Sequence, residues 1–122
     1  MKLINDFFEI VASDKGEGAL KCQVRFDPTH FIYAAHFPGN PVTPGVCLIQ
    51  IASEILEKEC DKTLLLSTIK NIKFKKIVVP EDTPFYTFNN ILIEGDKLST
   101  DVIISDEHSE YVKMSLLFKI QS

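Results

Sequence analysis

The run Val46-Cys47-Leu48-Ile49-Gln50-Ile51-Ala52-Ser53-Glu54-Ile55-Leu56 constrains this chain more than any other stretch. Wound as a helix it is apolar on nearly every side, and such a helix belongs inside a protein. We read the helix over residues 45–58, with the polar tail at 57–62 leading out to solvent. Most of the remaining chain reads as strand. Residues 7–13, 19–26, 64–79, 85–93, 97–104 and 111–120 are rich in β-branched and aromatic side chains. In the last of them Val112, Met114, Leu116, Phe118 and Ile120 share one face, with Tyr111, Lys113, Ser115, Leu117 and Lys119 on the other. Leu117 interrupts that polar face and hints at a covered outer surface. Residues 14–18, 94–96 and 105–109 read as hairpin turns, 80–84 as a turn, and 29–35 as a short helix or turn. The order is β-β-α-β-β-β-β. One antiparallel sheet curled around one buried helix is its economical packing, an α+β fold over a single domain, residues 1–122.

Composition removes several function classes. The net charge of −4 argues against general nucleic-acid binding. No apolar run reaches the roughly 18 residues of a membrane span. The N-terminus meets Asp6 too early for a signal peptide. Cys22, Cys47 and Cys60 are odd in number and lack C-x-x-C spacing, which fits reduced thiols in a cytoplasm rather than a disulfide frame or zinc site. Cys47 reads as core filler, His30 as structural and His108 as a solvated hairpin residue.

The unusual residues are concentrated just before the helix. Three of the six prolines and two of the five glycines lie within positions 38–45, directly after His36. We read a stiff loop that presents His36 to the start of the helix. Thr43 suits the N-cap and Pro44 the first helical position. The backbone N–H groups of Gly45 and Val46 would then have no partner inside the helix. At the positive end of the helix dipole they can hold a carbonyl oxygen as it gains charge. Gly45 lets a ligand approach its backbone closely, and a histidine moves protons near neutral pH. The set suits proton abstraction beside a carbonyl.

The residues His36-Phe37-Pro38-Gly39, Pro41 and Pro44-Gly45-Val46 supply eight fixed residues in eleven positions. They resemble the H-F-P-G-x-P-x-x-P-G-V signature of the 3-hydroxyacyl-[acyl carrier protein] dehydratases, a hotdog-fold family. Ile72-Lys73-Phe74-Lys75-Lys76 with Val79-Pro80-Glu81-Asp82 resembles that family's strand-and-turn F-K-K-P-V-x-P-G-D. The resemblance implies a hotdog fold and loss of water from a 3-hydroxyacyl thioester. It implies no cofactor of the chain's own, since the substrate rides on the phosphopantetheine of an acyl carrier protein. It also implies a homodimer, possibly a trimer of dimers, with histidine and helix acid contributed by different subunits. In the family the acid stands fourteen positions after the histidine, where this chain has Gln50. Glu54 follows one turn later on the same helix face, about 6 Å along.

By this resemblance His36 takes the α-proton, the Val42 carbonyl orients its ring, and the Gly45 N–H polarises the thioester carbonyl. Phe37 and Val46 belong to the substrate-binding set. Gln50 positions the hydroxyl, and Glu54, protonated in an apolar setting, or His36 itself, returns the proton. Lys70, Lys73, Lys75 and Lys76 are either a docking patch for an acidic carrier protein or a solvated strand face guarding an edge. A hotdog thioesterase, or a non-catalytic acyl- or carrier-binding subunit that borrows its acid from a partner, are the competing functions.

Overall fold

A computed structural model describes residues 2–121; Met1 and Ser122, the outer limits of the expected domain, lie outside the described residues. The elements are β1 (Phe8–Gly16), β2 (Ala19–Phe26), α1 (Phe31–Ala35), α2 (Gly45–Cys60), β3 (Leu64–Phe74), β4 (Phe85–Glu94), β5 (Lys97–Ser105) and β6 (Glu110–Ile120). The strands form one antiparallel sheet in the order β1-β2-β4-β5-β6-β3. Its concave face closes on α2, which is the hotdog arrangement. None of the described helices is long and apolar enough to cross a membrane.

Period two decides which residues meet the helix. Leu20, Cys22, Val24 and Phe26 of β2, Tyr86 and Phe88 of β4, Leu98, Val102 and Ile104 of β5, and Val112, Met114, Leu116 and Phe118 of β6 are all buried. They enclose Ile51, Ala52, Ile55 and Leu56 of α2 completely. Removing each of the larger aliphatic side chains from water stabilises the fold by roughly 1.5–3 kcal/mol. Tyr86 lies inside this core because its hydroxyl donates to the Leu48 carbonyl at 2.9 Å; burial pushes its phenol well above the usual range.

Four local expectations are corrected. β1 runs on to Gly16, so the first hairpin turns over Glu17 and Gly18 alone, with Gly18 at φ 65°. β3 stops at Phe74 instead of reaching residue 79, because its last pair with β6 is Phe74 opposite Val112. Tyr111 faces inward, buried, and donates its hydroxyl to Asp106 at 3.0 Å. Asp106 also accepts from the backbone N–H groups of His108 and Ser109, which draws its carboxyl down to about 2. Finally, α2 is not buried all round: Val46 is 76% exposed.

β3 is an edge strand, and Leu65, Ile69 and Phe74 along it stand in water; Phe31, Phe37 and Ile77 elsewhere in the chain are also exposed. Isolated exposed apolar residues need no explanation, but a long unpaired edge carrying several of them is a pairing surface.

Candidate active site

α1 and α2 hold the two ends of the Pro/Gly loop. His30 caps α1: its Nδ1 accepts from the Ile32 N–H at 3.2 Å, and its Nε2 faces Asp6 at 3.1 Å. His30 is buried against Phe7 and Phe31 and takes a structural part. α1 ends at His36, whose N–H donates to the Ile32 carbonyl at 3.0 Å. Across the loop, Tyr33 and Thr43 share a buried hydroxyl–hydroxyl bond of 2.9 Å, and the Thr43 N–H donates to the Val78 carbonyl. This clasp corrects the cap assignment. Pro44 is the N-cap residue, and no side chain caps the helix, because the Thr43 hydroxyl is engaged by Tyr33.

The first helical bonds run from the Cys47 and Leu48 N–H groups to the Pro44 carbonyl. The N–H groups of Gly45 and Val46 have no partner among the described residues. Gly45 borders a cleft of about 380 Å³ that it shares with Thr43, Leu48, Phe74, Ile77, Val78 and the paired lysines Lys75 and Lys76. Gly45 is not open on all sides. A β-carbon added there would lie 2.9 Å from the tip of the Phe74 ring, so the aromatic ring fills the space that a side chain would take.

His36 is exposed, and its imidazole makes no hydrogen bond among the described residues; the expected bond to the Val42 carbonyl is not formed within the chain. Phe37 follows at φ 56°. A bulky residue there is a backbone outlier, of the kind that collects at functional loops. Phe37 itself is 64% exposed. The cleft at Gly45 is lined by Thr43, by the start of α2, by the last residue of β3 and by the segment that follows it, and His36 is not among them.

Gln50 and Glu54 form a pair of their own. The Gln50 Nε2 donates to a Glu54 oxygen at 2.8 Å. The same carboxylate accepts from the Leu3 N–H at 2.8 and 2.9 Å and from the Ile4 N–H at 2.7 Å. Glu54 is 2% exposed. Both of its oxygens are therefore engaged as acceptors by the N-terminal segment, more than two helical turns past the amides of Gly45 and Val46 and over a different cleft, which Lys2, Ile4 and Asn5 share.

The lysines divide. Lys75 is bonded to Glu110, and Lys76 lies 3.8 Å from Asp106 and over the Tyr111 ring. Lys70 and Lys73 are exposed without a charged partner among the described residues. Lys73 stands directly opposite Lys113, an arrangement that costs stability unless an anion lies over it.

Comparison with known proteins places this arrangement. The profile of the ApeI-like dehydratases, described as ApeI dehydratase, matches residues 12–113. The chain belongs to this family. It is also 49% identical over 57 residues to the 3-hydroxyacyl-[acyl-carrier-protein] dehydratase FabZ of Lactiplantibacillus plantarum, a match over 41% of this chain and 39% of that protein. The FabZ of Caldicellulosiruptor saccharolyticus is 32% identical over 104 residues, 80% of this chain and 66% of that protein. Across three of the curated relatives it matches, the chain spans between 39% and 56% of their length. Among solved structures, the dehydratase heterocomplex ApeI:P from Xenorhabdus doucetiae superposes with a TM-score of 0.73 at 18% identity, covering 90% of this chain and 96% of that one; the likeness is one of fold.

Sequence reasoning reached the loop, the helix start and the family. It did not reach the Phe74 wall, the Tyr33–Thr43 clasp or the binding of Glu54 to the N-terminal segment. Phe74 stands inside the F-K-K stretch, and Asn71, a residue that tolerates a left-handed backbone, is a hint that the strand there changes phase.

Proposed function

We propose that the chain dehydrates a 3-hydroxyacyl thioester carried on the phosphopantetheine of an acyl carrier protein, giving the 2-enoyl thioester and water. The observation that carries this reading is the exposed His36 imidazole at one end of the Pro/Gly loop and, at the other, the Gly45 and Val46 N–H groups, which have no partner among the described residues. The thioester oxygen accepts from those amides, which lowers the cost of charge on the carbonyl as the α-proton leaves. His36 takes that proton. The C–H electrons form the new double bond, the C–O bond at the β-carbon breaks, and the protonated imidazole returns the proton to the departing hydroxyl. His36 serves both steps in this account, because the Glu54 oxygens are held as acceptors by Leu3, Ile4 and Gln50. No cofactor of the chain's own is required. Mass spectrometry of a carrier-bound 3-hydroxyacyl group tests the reading: loss of one water supports it, and an unchanged mass after long incubation rejects it.

The working unit in this proposal is a homodimer joined along β3, whose exposed Leu65 and Ile69 a second copy would cover. Sedimentation should give twice the chain mass, and a Leu65→Glu, Ile69→Glu variant should sediment as a monomer; a monomeric parent protein contradicts this. A second reading, in which a different chain supplies the acid, is favoured by Gln50 at the family's acid position. Activity that appears only on mixing with such a partner would select it.

Carrier docking falls to Lys70, Lys73 and Lys113 in this reading, since Lys75 and Lys76 are occupied by Glu110 and Asp106. Charge reversal at Lys73 should raise KM for the carrier-bound substrate about tenfold, leave kcat unchanged and flatten the salt dependence. The same reversal at Lys75 should do much less. Equal effects at both would contradict the assignment. Three free cysteines, Cys22, Cys47 and Cys60, suit a reducing cytoplasm.

A further inference from the structure

We infer that Phe74 is a specificity-determining residue of the acyl site, and that Gly45 lacks a side chain in order to seat its ring. The inference rests on the dehydratase reading for the identity of the substrate, but its geometry stands apart from it.

The ring reaches Gly45 through a change of phase in β3. Lys70 pairs with Ser115 and Lys73 with Lys113, so three steps on β3 match two on β6. One extra residue is accommodated at Asn71, which takes φ 53°. Lys70 faces outward with Ser115. Strict alternation from there would turn Lys73 inward and Phe74 outward. The bulge reverses this: Lys73 faces out with Lys113, and Phe74 faces in with the buried Val112. Re-aiming one side chain is a common use of a bulge at a strand end.

Once turned inward, Phe74 does not become core. It is 57% exposed, whereas its pair partner Val112 is fully buried. The tip of the ring lies 2.9 and 3.0 Å from where a Gly45 β-carbon would be, closer than real β-carbons approach. The rest of the ring borders the cleft with Leu48, Ile77 and Val78, beside Gly45, which with Val46 offers an amide that has no partner among the described residues. A half-wet aromatic ring flanking a pair of free donors is a surface waiting for an apolar chain with a carbonyl at its end. An acyl thioester whose oxygen reaches those donors lays its first methylenes along this ring.

Two measurements test this. Binding of octanoyl-pantetheine, a probe with no hydroxyl to lose, is followed by calorimetry. Phe74→Ala should weaken it about tenfold, the effect of losing roughly half of an aromatic side chain's burial. KM for the 3-hydroxyacyl substrate should rise with it, kcat should stay within about twofold, and the melting temperature should barely move. Gly45→Ala should lower kcat/KM, and adding Phe74→Leu should restore most of the loss by giving the new methyl room. Unchanged probe binding in Phe74→Ala, no probe binding by the parent protein, or a Gly45→Ala defect that Phe74→Leu leaves untouched would each overturn the inference; the last would mean that the glycine serves the ligand alone. Ring-dependent probe binding in a protein that never releases water would reject the dehydratase reading and uphold the role of Phe74.

Discussion

His36→Ala should lower turnover of a carrier-bound 3-hydroxyacyl thioester by about 10²- to 10⁴-fold, the range that a positioned acid–base group contributes. KM should hold nearly constant, because the imidazole acts on the reacting proton and not on the acyl chain or the carrier. The melting temperature should hold as well. The imidazole is exposed and makes no hydrogen bond among the described residues, and the bond that ends α1 comes from its backbone N–H, which alanine keeps. The loop is held at its far end by Thr43 and Tyr33, neither of which touches the ring. Steady-state kinetics beside a thermal melt checks this. Turnover within a few-fold of the parent protein removes His36 from the reaction.

The second large effect falls on stability, at Glu54 and Gln50. Glu54→Leu leaves the Leu3 and Ile4 N–H groups without an acceptor over a buried stretch of helix. At about 1–3 kcal/mol for each unmade bond, the loss should be on the order of 3–5 kcal/mol. Gln50→Glu, which restores the family's acid, should also destabilise the fold. It would set two carboxylates at the distance now bridged by the Gln50 amide, 2.8 Å, where both cannot stay charged. Turnover should not rise. The amide at position 50 is thus explained by its neighbour: Glu54 needs a donor beside it. Urea unfolding and turnover measured on the same variants separate the alternatives. A severe loss of turnover in Glu54→Gln at unchanged stability would make Glu54 the proton donor after all, and a more active Gln50→Glu protein would show that the missing acid limits the parent.

How much of this could be read beforehand follows from the range of the forces involved. The buried helix and the inward faces of β2, β5 and β6 are short-range periodic facts, and Val112 through Ile120 declared them openly. The Pro/Gly loop was legible because its residue types are rare and its spacing is fixed by backbone geometry. Thr43 was misassigned because a hydroxyl before a helix has two uses, and the choice between capping and bonding Tyr33 depends on a residue ten positions away. Glu54 was legible as a buried polar group in need of partners and as a same-face neighbour of Gln50, but its other partners, Leu3 and Ile4, lie 51 and 50 positions away in the chain and are backbone groups, which no side-chain pattern reveals. Tyr111 was placed outward by strict alternation. A register shift between Ile104 and Ser105 and the acceptor at Asp106 draw it in. The exposure of Val46 came from the opposite error: a helix apolar on nearly every side was taken to be covered all round by its own chain, and at Val46 it is not.

The most direct test of the central claim, that the imidazole of His36 moves the α-proton of a thioester held by the amides of Gly45 and Val46, is the reverse reaction in deuterated water. Given a carrier-bound 2-enoyl thioester, the parent protein should add water and place one deuterium on the α-carbon, and His36→Ala should place none above the uncatalysed background. Labelling by His36→Ala at the rate of the parent protein would contradict the account.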